Sequence, residues 1–504
     1  MKLLTAAQTR AAEERAVAMG MSWLRLMENA GAACTSVIRK NYEVQGKSIC
    51  IVCGRGGNGG DGFVIARKLY GEGAQAFVIL SSGRPTHADA LENYHRAIEL
   101  GVPIYDYAQD ADACIQRINS SELIVDAIFG FGFHGVPMAD EAAVIAQINA
   151  AAAPVVSVDL PSGATCDSGR VEGACVCAQL TVTFTTLKPC HVTFPAAEYC
   201  GKTVCASIGM PDAAVAGVPC TLRVIERAEL TPIFAPRRRN SHKGDYGRPL
   251  LFCGSYGMAG AAMLAGRAAL RCGAGIVSMA VPESIYPILA GNVPEAVFLP
   301  LKDSAADTLQ RLQDALQTAD ALLIGPGLGR GRAVAEICCK LVETAKCPVV
   351  LDADGINALD GRIELIGKAQ GQRILTPHPG EMARLCGMTI AEVEADRVGI
   401  AASLSRRTGA VIVLKGAYTV IAEPSGEVWV NMTGTPGMAT GGSGDVLAGM
   451  LTAFLARGFA PSLAARAAVY LHGAAGELAA ARLSETAMLP GDLIESLPTL
   501  FQSQ

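Results

Sequence analysis

The sequence predicts an α/β protein of two domains, and three observations carry that prediction. Short apolar runs recur along the 504-residue chain, each followed by glycine or polar residues and then by a helical pattern. Half of the residues are apolar, aromatics are few, and alanine and glycine are abundant, which suits helices packed closely on a sheet. The rhythm breaks once, between Pro211 and His242, in a stretch carrying proline, alanine and the run Arg237-Arg238-Arg239. Domains are therefore expected over residues 1–220 and 241–504, joined by a linker at 221–240 in which the arginines are solvated.

In the first half, Thr5 and Gln8 have capping-box spacing and open a helix. Apolar positions continue to Ile38 with breaks near Gly20 and Gly31, so two helices outside a sheet are expected. The run Ser48–Cys53 reads as a buried strand. It leads into a glycine loop, Gly54–Gly62, with a helical face beginning at Phe63. Strand, glycine loop and helix place a phosphate at a helix start, but the spacing is not the dinucleotide fingerprint, so hydride transfer is not implied. Further strands are expected at 77–80, 123–126, 155–159 and 182–184. Two of them end in a carboxylate, Asp126 and Asp159, and the loops Gly130–Gly135 and Leu160–Gly163 follow. In an open parallel sheet this is the edge where ligands bind. Lys188 offers a cation there, although its spacing equally fits a surface lysine.

The second half restarts the rhythm with strands at 250–253, 276–281, 321–324, 349–352, 374–375 and 411–414. Their ends carry Gly254–Gly260, Gly325–Gly329, Asp354-Gly355, Thr376–Glu381 and Lys415-Gly416. Most informative is Gly441-Gly-Ser-Gly-Asp445, three glycines in four positions ahead of an amphipathic run. Such a loop aims backbone N–H groups at an anion from a helix N-terminus. Asp445 at its mouth suits activation of a hydroxyl beside a phosphate, Lys415 suits a phosphate, and Glu381 suits Mg²⁺ held through water. The Walker spacing is absent, so a different nucleotide fold is expected.

Other classes are excluded on composition. A formal charge of −5 gives no nucleic-acid surface. No run reaches the roughly 18 uncharged apolar residues of a membrane span. The N-terminus has no signal-peptide pattern, and the 17 cysteines scatter through strands, so reduced thiols in a cytoplasm are expected. Cys175-Val-Cys177 and Cys338-Cys339 lack the matching pair of a zinc site.

These motifs support a family resemblance over almost the whole chain except the linker. The second half resembles the ribokinase-like superfamily and, within it, the ADP-dependent NAD(P)H-hydrate dehydratases. The resemblance is carried by Lys243–Gly247, Gly325–Gly329, Leu351–Gly355, Thr376–Glu381 and Thr440–Gly449. The first half resembles the NAD(P)H-hydrate epimerases, a Rossmann-like three-layer α/β/α family, through Leu26–Gly31, Asn58–Gly62, Asp126 and Val158–Gly163. The order of the halves matches the bifunctional bacterial repair enzymes.

The resemblance implies site residues. In the first half these are Gly57, Asn58, Gly59, Gly60, Asp61, Gly130, Phe131, Gly132, Phe133, His134, Gly135, Val136 and Asp159 for the hydrated nucleotide. It implies a potassium ion on Asn58, Asp126 and Ser162, and Asp159 as the proton-transfer residue with Lys188 as helper. In the second half it implies Ala261, Gly327, His378 and Asp445 for the hydrate, and Lys415, Gly416, Ala417, Tyr418, Thr419 and Gly444 for ADP. Mg²⁺ and ADP are the implied cofactors, and hydrated NADH and NADPH the implied substrates, in a cytoplasmic homo-oligomer. The chain departs from the family pattern at Gly57, where a second asparagine is usual, and at Ser443, where threonine is common. His378 stands where sugar kinases tend to have asparagine.

The expected function is nicotinamide-nucleotide repair. One domain interconverts R and S hydrates, and the other dehydrates the S form with ADP. Two other readings remain open from sequence. One is a kinase of a small vitamin-precursor alcohol, such as a thiazole alcohol, fused to a nucleotide-binding module. The other makes the first half a sensing or protein-binding module only.

Overall fold

A computed structural model describes residues 1–302 and 304–502. The chain divides into two compact units, Met1–Cys220 and Thr221–Gln504.

The first unit is built on a seven-stranded, wholly parallel sheet. Its strands are β1 (Ser48–Cys53), β2 (Gln75–Leu80), β3 (Ile104–Asp106), β4 (Leu123–Ala127), β5 (Val155–Val158), β6 (Leu180–Phe184) and β7 (Lys202–Ala206). The order is β3-β2-β1-β4-β5-β6-β7. The strand order reverses between β1 and β4, and the loops leaving these two strands flank a crevice. Hydrophobic side chains fill both faces of the sheet, which is why its central strands read as continuous apolar runs.

Three helices matter for the site: α1 (Ala6–Ala18), α2 (Trp23–Asn41) and α3 (Gly57–Gly71). The capping box at Thr5 and Gln8 forms as expected. The break expected near Gly31 does not occur, because α2 runs through it. Gly31 serves packing instead: a Cβ there would lie 2.5 Å from the Val64 side chain of α3. The glycine loop is also shorter than expected. Residues 57–62 are already helical, in the first turns of α3.

The second unit holds a ten-stranded sheet. Its strands are β8 (Leu222–Val224), β9 (Pro249–Phe252), β10 (Ser278–Pro282), β11 (Val297–Leu301), β12 (Ala321–Ile324), β13 (Val349–Leu351), β14 (Arg373–Leu375), β15 (Val411–Leu414), β16 (Val420–Ala422) and β17 (Val428–Val430). The order is β11-β10-β9-β12-β13-β14-β15-β16-β17-β8. Strands β15, β16 and β17 pair antiparallel and the rest parallel. The stretch expected as a linker is partly built into this unit, since β8 pairs with β17 and the turn Arg227–Phe234 packs Leu230 and Ile233 into the core. Arg237 stacks over Tyr246, with its guanidinium 4.0 Å from the ring centroid, while Arg238 and Arg239 are exposed.

Helix Ser443–Ala456 is buried along almost its whole length between the sheet and neighbouring helices. Gly449 lets helix Ala259–Arg271 approach, because a Cβ there would lie 2.2 Å from the Ala265 carbonyl oxygen. Among the described residues no helix is long and apolar enough to cross a membrane. All seventeen cysteines are free thiols.

Candidate active sites

In the first unit a cavity of about 560 Å³ opens at the strand-order reversal. Gly57, Asn58 and Asp61 line it from α3, and Gly130, Phe131, Gly132, Phe133 and His134 from the loop after β4. Asp159 and Lys188 form its floor, buried to 4% and 2% of their side-chain surface. Four expected residues do not line it. Gly59 and Gly60 serve close packing: a Cβ on Gly59 would meet the Gly54 carbonyl at 2.0 Å, and one on Gly60 the Met27 sulfur at 2.5 Å. Gly135 and Val136 lie outside, with the Val136 side chain exposed.

Asp159 follows β5 at a φ of 68°, a left-handed conformation that a β-carbon disfavours. Its backbone and carboxylate are both held. Lys188 Nζ donates to Oδ1 at 2.6 Å, Thr183 Oγ1 donates to Oδ1 at 3.1 Å, and the Phe131 N–H donates to Oδ2 at 3.1 Å. His191 spans the pair: its Nδ1 accepts the Lys188 N–H at 2.9 Å, so Nε2 carries the proton and donates to the Asp159 carbonyl at 2.9 Å. Burial opposes charge on Asp159, but the Lys188 ammonium outweighs it and holds the carboxyl below the usual range. Burial likewise opposes charge on Lys188, and Asp159 keeps it raised. His191 stays neutral, pushed down to about 4 by burial and by Lys188.

Beside the cavity, Asp126 and Ser162 are buried in a hydrogen-bonded network. Ser162 Oγ donates to Asp126 Oδ1 at 2.6 Å, the Ser162 N–H and Ser157 Oγ donate to Oδ2, and Asn58 Nδ2 donates to the Phe129 carbonyl at 2.8 Å. Asn58, Asp126 and Ser162 thus gather at one place and offer side-chain oxygens, the donor type a hard cation prefers.

In the second unit the expected residues gather at the C-terminal strand edge. Gly327, at a φ of 65°, lies against helix Ala259–Arg271, where a Cβ would come 2.9 Å from Ala261 Cβ. Lys415 follows β15 and donates to Asp352 Oδ1 at 2.6 Å, and Thr376 Oγ1 donates to the same oxygen at 2.6 Å. A Cβ on Gly444 would lie 3.4 Å from Lys415 Nζ, so the start of helix Ser443–Ala456 adjoins this pair. Gly442 reaches that start at a φ of 103°. Gly416 is at a φ of 147° under the Arg397 guanidinium, Ala417 is exposed, and Tyr418 is at a φ of 52°. Thr419 Oγ1 donates to the Gly416 carbonyl at 3.0 Å. His378 caps helix Pro379–Cys386, with Nδ1 accepting the Gly380 N–H at 3.0 Å, while Glu381 Oε2 accepts the His378 N–H at 2.9 Å.

Asp445 differs from Asp159 in its surroundings. Burial raises its pKa to about 6, Asp352 adds to the rise, and Lys415 works against it. Burial drags on the charge of Lys415 too, but Asp352, Glu381 and Asp445 hold it above its ordinary value. His472, which sequence reasoning passed over, supports the loop: its Nε2 lies 2.9 Å from the Ser443 carbonyl, and burial keeps it neutral with a pKa near 4. Asp352 was visible only as part of a motif. Its role as the partner of Lys415 depends on a contact across 63 positions of sequence.

Two α/β units, each with a lysine–aspartate pair and a glycine-led helix start at its strand ends, define a two-site enzyme that acts on nucleotides. Residues 24–190 match the family described as YjeF-related protein N-terminus, and residues 250–499 match NAD(P)H-hydrate dehydratase. The chain is 41% identical over 491 residues to the bifunctional NAD(P)H-hydrate repair enzyme Nnr of Moorella thermoacetica, covering 95% of this chain and 92% of that protein. It is 36% identical over 490 residues to the Nnr enzyme of Escherichia coli, covering 97% and 91%. Among solved structures it is similar to the ADP/ATP-dependent NAD(P)H-hydrate dehydratase of Bacillus subtilis co-crystallized with ATP/Mg²⁺, with a TM-score of 0.50 and 36% identity. That likeness covers 56% of this chain and 98% of the other. The chain belongs to the family of bifunctional NAD(P)H-hydrate repair enzymes.

Proposed function

We propose the following division of labour between the two sites. The protein repairs nicotinamide nucleotides: it epimerises hydrated NADH and NADPH and dehydrates the S form at the expense of ADP, releasing NAD(P)H, AMP and phosphate. The first unit is the epimerase, with Asp159 moving the proton and Lys188 holding it ionised. The second unit is the dehydratase, with Asp445 as base.

Hydroxide is a poor leaving group and phosphate a good one. Asp445 takes the proton of the ring hydroxyl as that oxygen attacks the β-phosphorus of ADP, and AMP departs. The ring nitrogen then drives out phosphate, a proton leaves the adjacent ring carbon, and the double bond of NAD(P)H is restored. The N–H groups at the start of helix Ser443–Ala456 and the ammonium of Lys415 face the phosphates. Gly327, Ala261 and His378 bound the hydrate. Among the described residues no group of three or more His, Cys, Asp or Glu could hold a metal by themselves. Mg²⁺ would be carried largely by the nucleotide, with Glu381, which lies near Lys415, reached through water. There it would neutralise charge on the phosphates. In the first unit Asn58, Asp126 and Ser162 would hold potassium, which would fix the loop after β4 against α3. The working form is a homo-oligomer in the cytoplasm.

The observation that carries this reading is the position of Asp445 in the first turn of a glycine-led helix beside the Lys415–Asp352 pair. The test incubates the protein with hydrated NADH, ADP and Mg²⁺ and follows reduced-nicotinamide absorbance. Recovery of both epimers is expected. No recovery, with stable phosphorylation of a thiazole alcohol instead, would sink it.

A further inference from the structure

Three polar groups of the first unit's cavity take no part in the chemistry above. Thr9 and Glu13 are four residues apart on α1, so they share one helix face, and both line the cavity. Thr185 lines it from the chain after β6, at a φ of 65°. The hydroxyls of Thr9 and Thr185 are buried and have no hydrogen-bond partner. Thr9 is only 8% exposed. Buried hydroxyls are rarely left in that state unless something else completes them.

The helix is fastened beside the catalytic pair. The Ala6 N–H donates to Asp167 Oδ1 at 2.7 Å, the Leu4 N–H donates to the Leu187 carbonyl at 3.1 Å, and Leu187 precedes Lys188. This places the Thr9–Glu13 face over Asp159 and Lys188. All of α1 precedes the stretch, residues 24–190, that carries the family match of this half.

We propose that Glu13 is a second acid–base residue of the epimerase site, working with Asp159, and that Thr9 and Thr185 bind the polar substituents of the substrate ring. The inference rests on the epimerase reading of this unit. The carbon to be inverted carries a hydroxyl and the ring nitrogen. The protonated Glu13 carboxyl gives its proton to that hydroxyl. The carbon–oxygen bond breaks, its electron pair leaves with the oxygen as water, and the nitrogen lone pair closes a carbon–nitrogen double bond. Water adds to the other face of the carbon, the double-bond pair returns to nitrogen, and the Asp159 carboxylate takes a proton from the added water. One water leaves and one enters. Glu13 is now the carboxylate and Asp159 the acid, so the pair is set for the opposite conversion.

The charges around Glu13 suit this exchange. Arg10 forms an ion pair with Glu13 on α1 at 3.3 Å, and Glu14 faces it from the same helix, Asp159 from the end of β5, Lys188 from beyond β6, and Asp61 from α3. Burial raises Glu13 to about 7, Arg10 opposes the rise, and Asp159 adds to it. Burial and the neighbouring Asp159 and Glu13 raise Asp61 well above the usual carboxylate range.

The test uses the full chain, the pure R hydrate of NADH, ADP and Mg²⁺, and reads release of reduced nicotinamide. The S hydrate in a parallel reaction reads the second unit alone. Glu13→Gln is expected to slow the R reaction by roughly 10²-fold and to leave the S reaction unchanged. Thr9→Val is expected to raise KM for the R hydrate more than it lowers kcat. In the wild type the pair shares one proton in either direction, so R turnover should fall as pH rises through about 7. Glu13→Gln at wild-type R turnover overturns the inference. If that variant loses the fold of its first unit by circular dichroism, the wild-type profile decides, and a flat profile through neutrality overturns it equally. A wild-type protein that never interconverts the epimers would instead remove the epimerase reading beneath it.

Discussion

Each unit places a lysine against an aspartate at its strand ends, at the same 2.6 Å, yet the two pairs do different work. In the first unit the lysine neutralises the acid of the cavity itself, and both side chains are almost wholly buried, at 2% and 4% exposure. In the second unit the lysine pairs with Asp352 and retains 19% exposure, while Asp445 stands beside the pair. One carboxyl is therefore held below its usual range and the other is lifted to about 6. Which aspartate the lysine engages decides whether an acid rests below its usual range or is poised to gain a proton near neutrality.

The contrast is easiest to break at Lys188. Lys188→Met leaves Asp159 charged and uncompensated in the interior, which should cost the first unit about 3–5 kcal/mol. Lys415→Met should cost the second unit less, because the lysine side chain keeps 19% of its surface exposed and is less fully desolvated than Lys188. Urea unfolding of the two variants compares them, and equal losses would erase the distinction. Next comes Asp445→Asn, which should slow dehydration by roughly 10²-fold or more while epimer interconversion persists. Substantial release of NAD(P)H from the S hydrate by this variant would remove Asp445 as base. The smallest effect is in pH. With Asp445 as the proposed base, dehydration should be present above about pH 6 and fall away as pH drops through it. Epimerisation should show no loss in that window from Asp159, whose folded-state pKa is depressed. Matching acid limbs for the two reactions would contradict the assignment.

Much of this arrangement was legible in the chain, and the rest failed for identifiable reasons. Strands buried on both faces, such as β1 and β12, announce themselves as apolar runs, and the acids that follow strands mark the ligand edge. The stretch Gly57–Gly62 read as a loop because glycine is a poor helix former. Gly59, Gly60 and Gly62 are instead required by close approach: a Cβ on Gly62 would meet the Cys53 sulfur at 2.6 Å. Strand β8 is three residues long and was absorbed into an expected linker. Its pairing with β17 joins segments about 200 positions apart, beyond the reach of local pattern. The helix α1 was foreseen from its cap, but the direction of its Thr9–Glu13 face depends on how its first residues anchor to Asp167 and Leu187.

The short strand β8 also decides where the chain can be severed. Proteolysis at Thr221 would release a second unit with its sheet margin intact. Scission twenty residues later would strip β8 away and bare the backbone of β17, whose Trp429 is stacked between Arg223 and Arg466. An uncovered strand margin is a template for pairing with another chain. The two activities are thus separable as soluble halves only by a cut on the N-terminal side of Leu222, and a fragment begun at the arginine run would be prone to self-association.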